Sequence, residues 1–157
     1  MMINLTDCMR AVSGALEREF GAAPVTKDIR EGFPRPATFL HAADVTSSME
    51  GLVRHDIYRF EITRFSRDDE QGYLDLIVYQ ERLRRLLSKP IPVTGAFWLY
   101  PDEVDFEIVM SDYALVAGFE AENYQVDPKA AEGTGETMRI LYENGQCVVR
   151  PDEEEEE

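Results

Sequence analysis

The side chains best suited to acid–base or metal chemistry near neutral pH are His41 and His55, because imidazole is the one side chain whose ordinary pKa falls there. Asp44 and Asp56 lie close to them in sequence. A hairpin turning around Ser48 would set the two histidines opposite each other, near enough to share a ligand. A metal site needs three or four ligands in fixed geometry, so two partly exposed sheet histidines are the plainer expectation. Asp105 and Glu107 stand two apart on one strand face, a spacing that could pair carboxylates for proton transfer. With no pocket or partner base in view, a solvated acidic strand face is the simpler reading. Arg82, Arg84 and Arg85 could grip an acidic neighbour or phosphates, or only complete the negative end of a helix dipole. Trp98 and Tyr100 could form a binding platform on a strand, although core packing is the better expectation for such rings.

The sequence carries no recognisable catalytic pattern elsewhere. There is no nucleophile elbow, phosphate-cradling loop, HExxH pair or dinucleotide fingerprint. Gly133-Thr134-Gly135 is too short and lies outside a strand-to-helix turn, so it reads as linker. Cys8 and Cys147 stand at opposite ends with no CxxC or Cys/His spacing, which gives a metal or redox framework no support. Two reduced thiols, no cofactor and no catalysis are the expectation, leaving binding or assembly.

The elements that must position these residues can be read from periodicity. Leu5, Cys8, Met9, Val12, Ala15, Leu16 and Phe20 recur at three- and four-residue steps and predict a helix, with Asn4 or Thr6 to cap it and Gly21 to end it. Val25 to Ile29 is a short strand candidate, and Glu31 to Pro36 a turn. Ala37 to Ala43 reads as extended, Asp44 to Gly51 as a hairpin loop, and Val53 to Phe65 as a long strand alternating Tyr58, Phe60 and Ile62 with Arg59, Glu61 and Thr63. A second helix presents Tyr73, Leu76, Ile77, Leu83 and Leu87 on one side and is stopped by Pro90 and Pro92. Strands follow over Val93 to Tyr100 and Val104 to Met110, with a continuation through Tyr113 to Phe119. The order α-β-β-β-α-β-β, with two helices on one face of a mainly antiparallel sheet, predicts an α+β fold. A C-terminal β-hairpin is appended, since Asn144-Gly145 suits a type I′ turn. The expected organisation is an α+β domain over 1–127, a linker over 128–137, the hairpin over 138–150 and a self-repelling, disordered acidic end over 151–157.

A chain of 157 residues is one domain's length, enough to bury roughly two thirds of its unfolded surface. Its net charge of −15 is unevenly placed. Residues 1–100 hold 13 Lys and Arg against 14 Asp and Glu, a net of −1, whereas residues 101–157 hold 3 against 17, a net of −14. Such a balance opposes DNA binding, which draws on Lys and Arg to release counterions, and favours a basic partner or a surface that repels nucleic acid. Residues 1–20 lack a basic start followed by an apolar block, and no run approaches membrane-spanning length, so neither a signal peptide nor a membrane span is expected.

From Met2 to Asp127 the sequence resembles the phage tail-terminator proteins of tailed phages and prophages of Gram-positive bacteria. The likeness rests on order and spacing. It runs through the opening helix ending at Phe20-Gly21, the Gly-Phe-Pro-Arg-Pro turn at 32–36, the extended Ala37-Thr38-Phe39-Leu40, the strand Tyr58 to Ile62 and the second helix through Leu83 and Leu87. It closes on a final hairpin, Val104 to Ile108 and Ala114-Leu115-Val116. The segment from Lys129 onward and the glycine-free Tyr100-Pro101-Asp102 turn depart from the pattern. The resemblance implies a structural protein of the virion tail, assembled in the bacterial host cytoplasm. It would form a hexameric ring that caps the tail tube, stops its polymerisation and offers the docking surface for the head–tail connector. A closing ring needs two unlike patches on each protomer. Arg82, Arg84 and Arg85 against the acidic C-terminal third, with Asp105 and Glu107, would supply opposite signs, and Ser47, Ser48 and Met49 in the 44–51 segment are candidates for touching the tube. The alternatives are a head–tail connector or neck subunit, an acidic DNA-mimic inhibitor of a basic protein, and a small-molecule enzyme built on His41 and His55.

Overall fold

The computed structural model describes residues 2–26, 33–126, 142–143 and 146–147. Its first element, α1 (Leu5–Phe20), begins where Asn4 accepts from the Asp7 amide while the Asp7 side chain reaches back to the Asn4 amide, so two otherwise unpaired donors are satisfied. It ends at Gly21, whose φ of 79° is the left-handed cap that glycine adopts without strain. Cys8, Val12, Ala15 and Leu16 form the buried stripe, as the periodicity predicts.

Two long strands follow, β1 (Ala37–Glu50) and β2 (Val53–Phe65), then α2 (Glu70–Leu87). The side chain of Asp69 caps α2 at the Gly72 amide. Beyond α2 come a two-residue ribbon, β3 (Ile91–Pro92) with β4 (Trp98–Leu99), and the strands β5 (Asp102–Val109) and β6 (Ala114–Val126). The main sheet has the order β1-β2-β6-β5 and is antiparallel throughout. A separate ribbon pairs β7 (Tyr142–Glu143) with β8 (Gln146–Cys147), the appended C-terminal hairpin. The fold is α+β, as expected.

Register decides which residues face the helices. Tyr58, Phe60 and Ile62 of β2 oppose Ala121, Phe119 and Ala117 of β6, and all six join the buried residues of both helices in one core. Both helices therefore cover the same face. Phe60 and Phe119 are fully buried with ring centroids 5.2 Å apart. Truncating either to Ala would cost about 3–5 kcal/mol, transfer and cavity together.

Several elements differ from expectation. The segment 44–50 is not a loop: β1 runs through it, and the hairpin turns at Gly51 and Leu52, with Gly51 at φ 64°. The β2 strand offers a ladder partner along its full length, and a two-residue turn with Gly in the left-handed region closes such hairpins best. Of the expected strand 25–29, Val25 forms one parallel bridge to Phe39; residues 27–29 lie outside the described residues. The expected strand 93–100 is interrupted because the Thr94 hydroxyl accepts from the Ala96 and Phe97 amides and folds a turn. The β5 strand does not continue through Tyr113. Met110–Asp112 makes a short 3-10 turn, Tyr113 takes φ 47°, and the chain returns as β6. On α2, Tyr79 rather than Tyr73 or Ile77 faces the core. The expected linker 128–137 and acidic end 151–157 lie outside the described residues. No helix among the described residues is long and apolar enough to cross a membrane.

Candidate assembly interface

The projecting half of the β1–β2 hairpin is anchored by a buried polar cluster. Asp56 is 4% exposed. It accepts from the Ser47 hydroxyl at 2.5 Å and from the Tyr58 hydroxyl at 3.1 Å. Arg54 Nε stands 2.8 Å from Asp56 Oδ2 but off the hydrogen-bond axis, so that pair is held by charge. Asn123 Nδ2 reaches the Tyr58 hydroxyl and the Ile3 carbonyl, and Gln125 both donates to the Ile3 carbonyl and accepts from its amide. The N-terminal segment is thereby pinned across β6. Burial first, and Asp56 among the further causes, raises the Tyr58 hydroxyl. Burial, then Asp7 and Asp56, pushes the Cys8 thiol up to about 12, so Cys8 is a neutral packing residue.

The open face of the sheet, away from the helices, carries the alternating polar positions. Arg59 donates to Asp105 Oδ1 at 2.7 Å and lies 3.8 Å from Glu120. Its guanidinium crosses β6 over Gly118, where a Cβ would lie 2.5 Å from Arg59 Nη2. The hydrogen bond to Asp105 raises the Arg59 pKa further. Glu107, two residues on, is exposed on the same face. Glu61 and Glu122 also point there, so Asp105 and Glu107 are part of an acidic sheet surface.

The histidines are not opposite each other. The register pairs His41 with Glu61 and His55 with Ser48, because the hairpin turns at residue 51 and not at 48. Each faces its own carboxylate, His41 to Glu61 at 3.3 Å and His55 to Glu122 at 3.4 Å, and His55 stacks on Tyr124 with centroids 4.0 Å apart. Among the described residues, no three His, Cys, Asp or Glu side chains come together as a metal would need. Trp98 and Tyr100 are exposed, at 45% and 65%, while the intervening Leu99 is buried. The core packing expected of them falls to Leu99, since strand alternation sends the neighbours outward.

Of the three arginines at the end of α2, Arg82 is an internal clamp. It pairs with Glu19 at 3.2 Å, donates to the Glu19 carbonyl and lies over the Phe20 ring at 4.7 Å, joining the ends of the two helices. Arg84 pairs with Glu81 one turn back at 2.8 Å, and Arg85 is exposed. Ser48 and Met49 are exposed on the outer half of β1, beside Ser47.

Sequence reasoning missed an apolar surface on α2. Tyr73, Leu74, Ile77 and Val78 are 38%, 54%, 39% and 61% exposed. The signal was present, for apolar residues at 73, 74, 76, 77, 78 and 79 make a band too wide for one core-facing stripe. Further exposed apolar side chains lie toward the hairpin end of the sheet, Val45 and Met49 on the helix-side face and Tyr124 and Val126 on the open face. Exposed apolar side chains gathered on one side of a helix are characteristic of surfaces that meet other proteins.

In comparison with protein families, the model described as phage tail terminator protein matches residues 7–132, and the chain belongs to that family. The family is structural, a component of phage tails. No curated protein matches the chain.

Proposed function

We propose that this chain is a tail-terminator protomer that closes into a hexameric ring on the end of the tail tube. There it stops tube polymerisation and presents its opposite face to the head–tail connector. The family match over residues 7–132 carries the reading. Two physical features support the ring. A closed ring of identical protomers joins two unlike surfaces of each. This chain has an α2 surface that exposes the apolar Leu74 and Val78 along its length and Arg84 and Arg85 at its end, and a sheet face bearing Asp105, Glu107, Glu120 and Glu122. Complementary charge would fix the register between protomers, with the desolvated apolar part providing most of the affinity. Ser47, Ser48 and Met49 would meet the tube, and an acidic lumen would let DNA pass without adhering.

The test is the solution mass of the purified chain by light scattering, alone and with the tube protein of the same tail, at two salt concentrations. A discrete hexamer, or a monomer converted to rings by tube protein, is the expected result. A monomer inert to tube protein at both salts sinks the proposal.

A further inference from the structure

The two edges of the main sheet are treated differently. At the β5 edge, the register slips between Asp102 and Asp105, Glu103 sits at φ 47°, and Asp102, Glu103, Asp105 and Glu107 crowd the strand with charge. A bulge and like charges are the devices that keep a free edge from pairing with another strand. The β1 edge has less protection. Among the described residues it is covered only by Val25, through Val25 N–H to the Thr38 carbonyl and Leu40 N–H to the Val25 carbonyl. Beyond Ala42 the strand continues to Glu50, exposed along residues 43–50 and without Pro or Lys.

Bond direction along this edge follows from those contacts. Thr38 and Leu40 turn their backbone groups away from β2 toward Val25. The bulge between Ala42 and Asp44 shifts the alternation by one residue, so Val45, Ser47 and Met49 face outward beyond it. The Val45 amide agrees, since it donates to its neighbour Asp44 Oδ1 and not across the ladder. Because β1 is the edge strand of the sheet and its one further bridge is at Phe39, the outward backbone groups of Ser47 and Met49 have no strand partner among the described residues.

We infer that the β1 edge from Asp44 to Glu50 is an acceptor for one strand of another tail protein, a strand with a basic residue at each end and apolar residues just inside them. This deepens the terminator reading and rests on it for the kind of partner. The pattern comes from the acceptor. Asp44 and Glu50, six residues apart, project on the open sheet face, so cations opposite them are favoured. Val45 and Met49, about half exposed on the other face, offer two apolar contacts. A second copy of this strand fits worse. In the full-overlap antiparallel register centred on Ser47, Asp44 meets Glu50 twice, in the pairs whose side chains approach most closely. The β5 edge of a second copy is refused by its own bulge and acids.

Hydrogen exchange on the full chain, read at the Ser47 and Met49 amides, tests this with two probes. One is the peptide acetyl-Lys-Val-Thr-Ser-Thr-Val-Lys-amide beside its Glu-ended analogue; the other is the tube protein of the same tail. Slowing of both amides by tenfold or more with the Lys-ended peptide, and not with the Glu-ended one, is expected. So is loss of that protection in Met49→Pro, which removes an outward N–H that the fold does not use, and its weakening in Val45→Lys, which leaves every backbone donor in place. Tube protein that binds without protecting these amides overturns the strand acceptor while leaving the terminator reading intact. Peptide protection with no tube binding overturns that reading and keeps the acceptor. No protection by either probe, or a concentration-dependent dimer that protects these amides without any probe, overturns the inference.

Discussion

Gly118 and Gly72 both stand where another group passes close, and they differ in what would have to move. A Cβ at Gly118 would lie 2.5 Å from Arg59 Nη2 and 2.9 Å from Asp105 Oδ1, the ends of two exposed side chains that can swing away. At Gly72 the same atom would lie 1.8 Å from the Arg67 carbonyl oxygen, and backbone cannot swing. Gly118→Ala is therefore expected to cost under about 1 kcal/mol, the worth of an exposed ion pair. Gly72→Ala should cost ~2–4 kcal/mol even though Ala favours helix over Gly by ~1 kcal/mol. Urea melts of the two variants check the order, and equal midpoints would refute it. Cys8 offers a pH test. Its thiol is raised from 9.0 to about 12 by burial first, so the folded state holds the proton more tightly than the unfolded chain does. That contribution to stability is complete below pH 9 and is lost as the pH climbs from 9 toward 12. Cys8→Ala should flatten the fall in stability across that interval, and in the folded chain Cys8 should resist thiol reagents at pH 8 until denaturant is added.

At the scale of elements, the hairpin projects from the core because Asp56 and its partners hold it, and burial decides what that is worth. Asp56→Ala leaves Ser47 and Tyr58 without their acceptor and Arg54 without its counter-charge in a site 4% exposed, and is expected to cost ~3 kcal/mol. Asp105→Ala breaks a comparably short pair with Arg59 in the open, where the Asp105 side chain is 63% exposed, and is expected to cost under about 1 kcal/mol. Thermal melts of the two variants should separate clearly; similar losses would mean that the cluster is not what secures the hairpin. The elements most legible in the sequence were those with a strong period and a local stop signal. Helix α1 carried its stripe, its Asn4 cap and its Gly21 end, and β2 carried a clean alternation. The outer half of β1 was hidden because Asp44, Thr46, Ser47 and Ser48 are polar, and what makes them a strand is the ladder to β2, a tertiary fact. The same misplacement of the turn set His41 against His55. Trp98 and Tyr100 were misassigned because a two-residue strand carries too little pattern to show which side faces in. The apolar outside of α2 could have been read from its overly wide band, whereas the Asp56 cluster could not. Its members are scattered from Ile3 to Gln125 and meet only through register.

At the scale of the whole molecule, residues 101–126 carry seven acids and no Lys or Arg, several of them on the open sheet face, while Arg84 and Arg85 are exposed at the end of α2, so the described surface has an acidic and a basic pole. If protomers join pole to pole, reversing charge at one pole must weaken association without touching the fold. Arg84 and Arg85 are the residues for this, since Arg82 is committed to Glu19 and Phe20 within the protomer. The double variant Arg84→Glu with Arg85→Glu is expected to keep its melting behaviour to within about 1 kcal/mol, because both side chains are exposed. Its oligomer should dissociate at protein concentrations at least about tenfold higher than the unchanged chain's, a difference of ~1.4 kcal/mol. Raising the salt should narrow that gap, as screening removes the attraction in one protein and the repulsion in the other. The pair Leu74→Ser with Val78→Ser makes the complementary case. These side chains are 54% and 61% exposed, so they contribute little to the protomer's own core. In a pole-to-pole ring they would supply apolar area that salt does not screen, and their loss should weaken association equally at low and high salt. Light scattering over a dilution series at two salts reads both variants. If neither moves the dissociation point, the ring closes through some other surface, and the outer face of α2 is left for a different tail protein to cover.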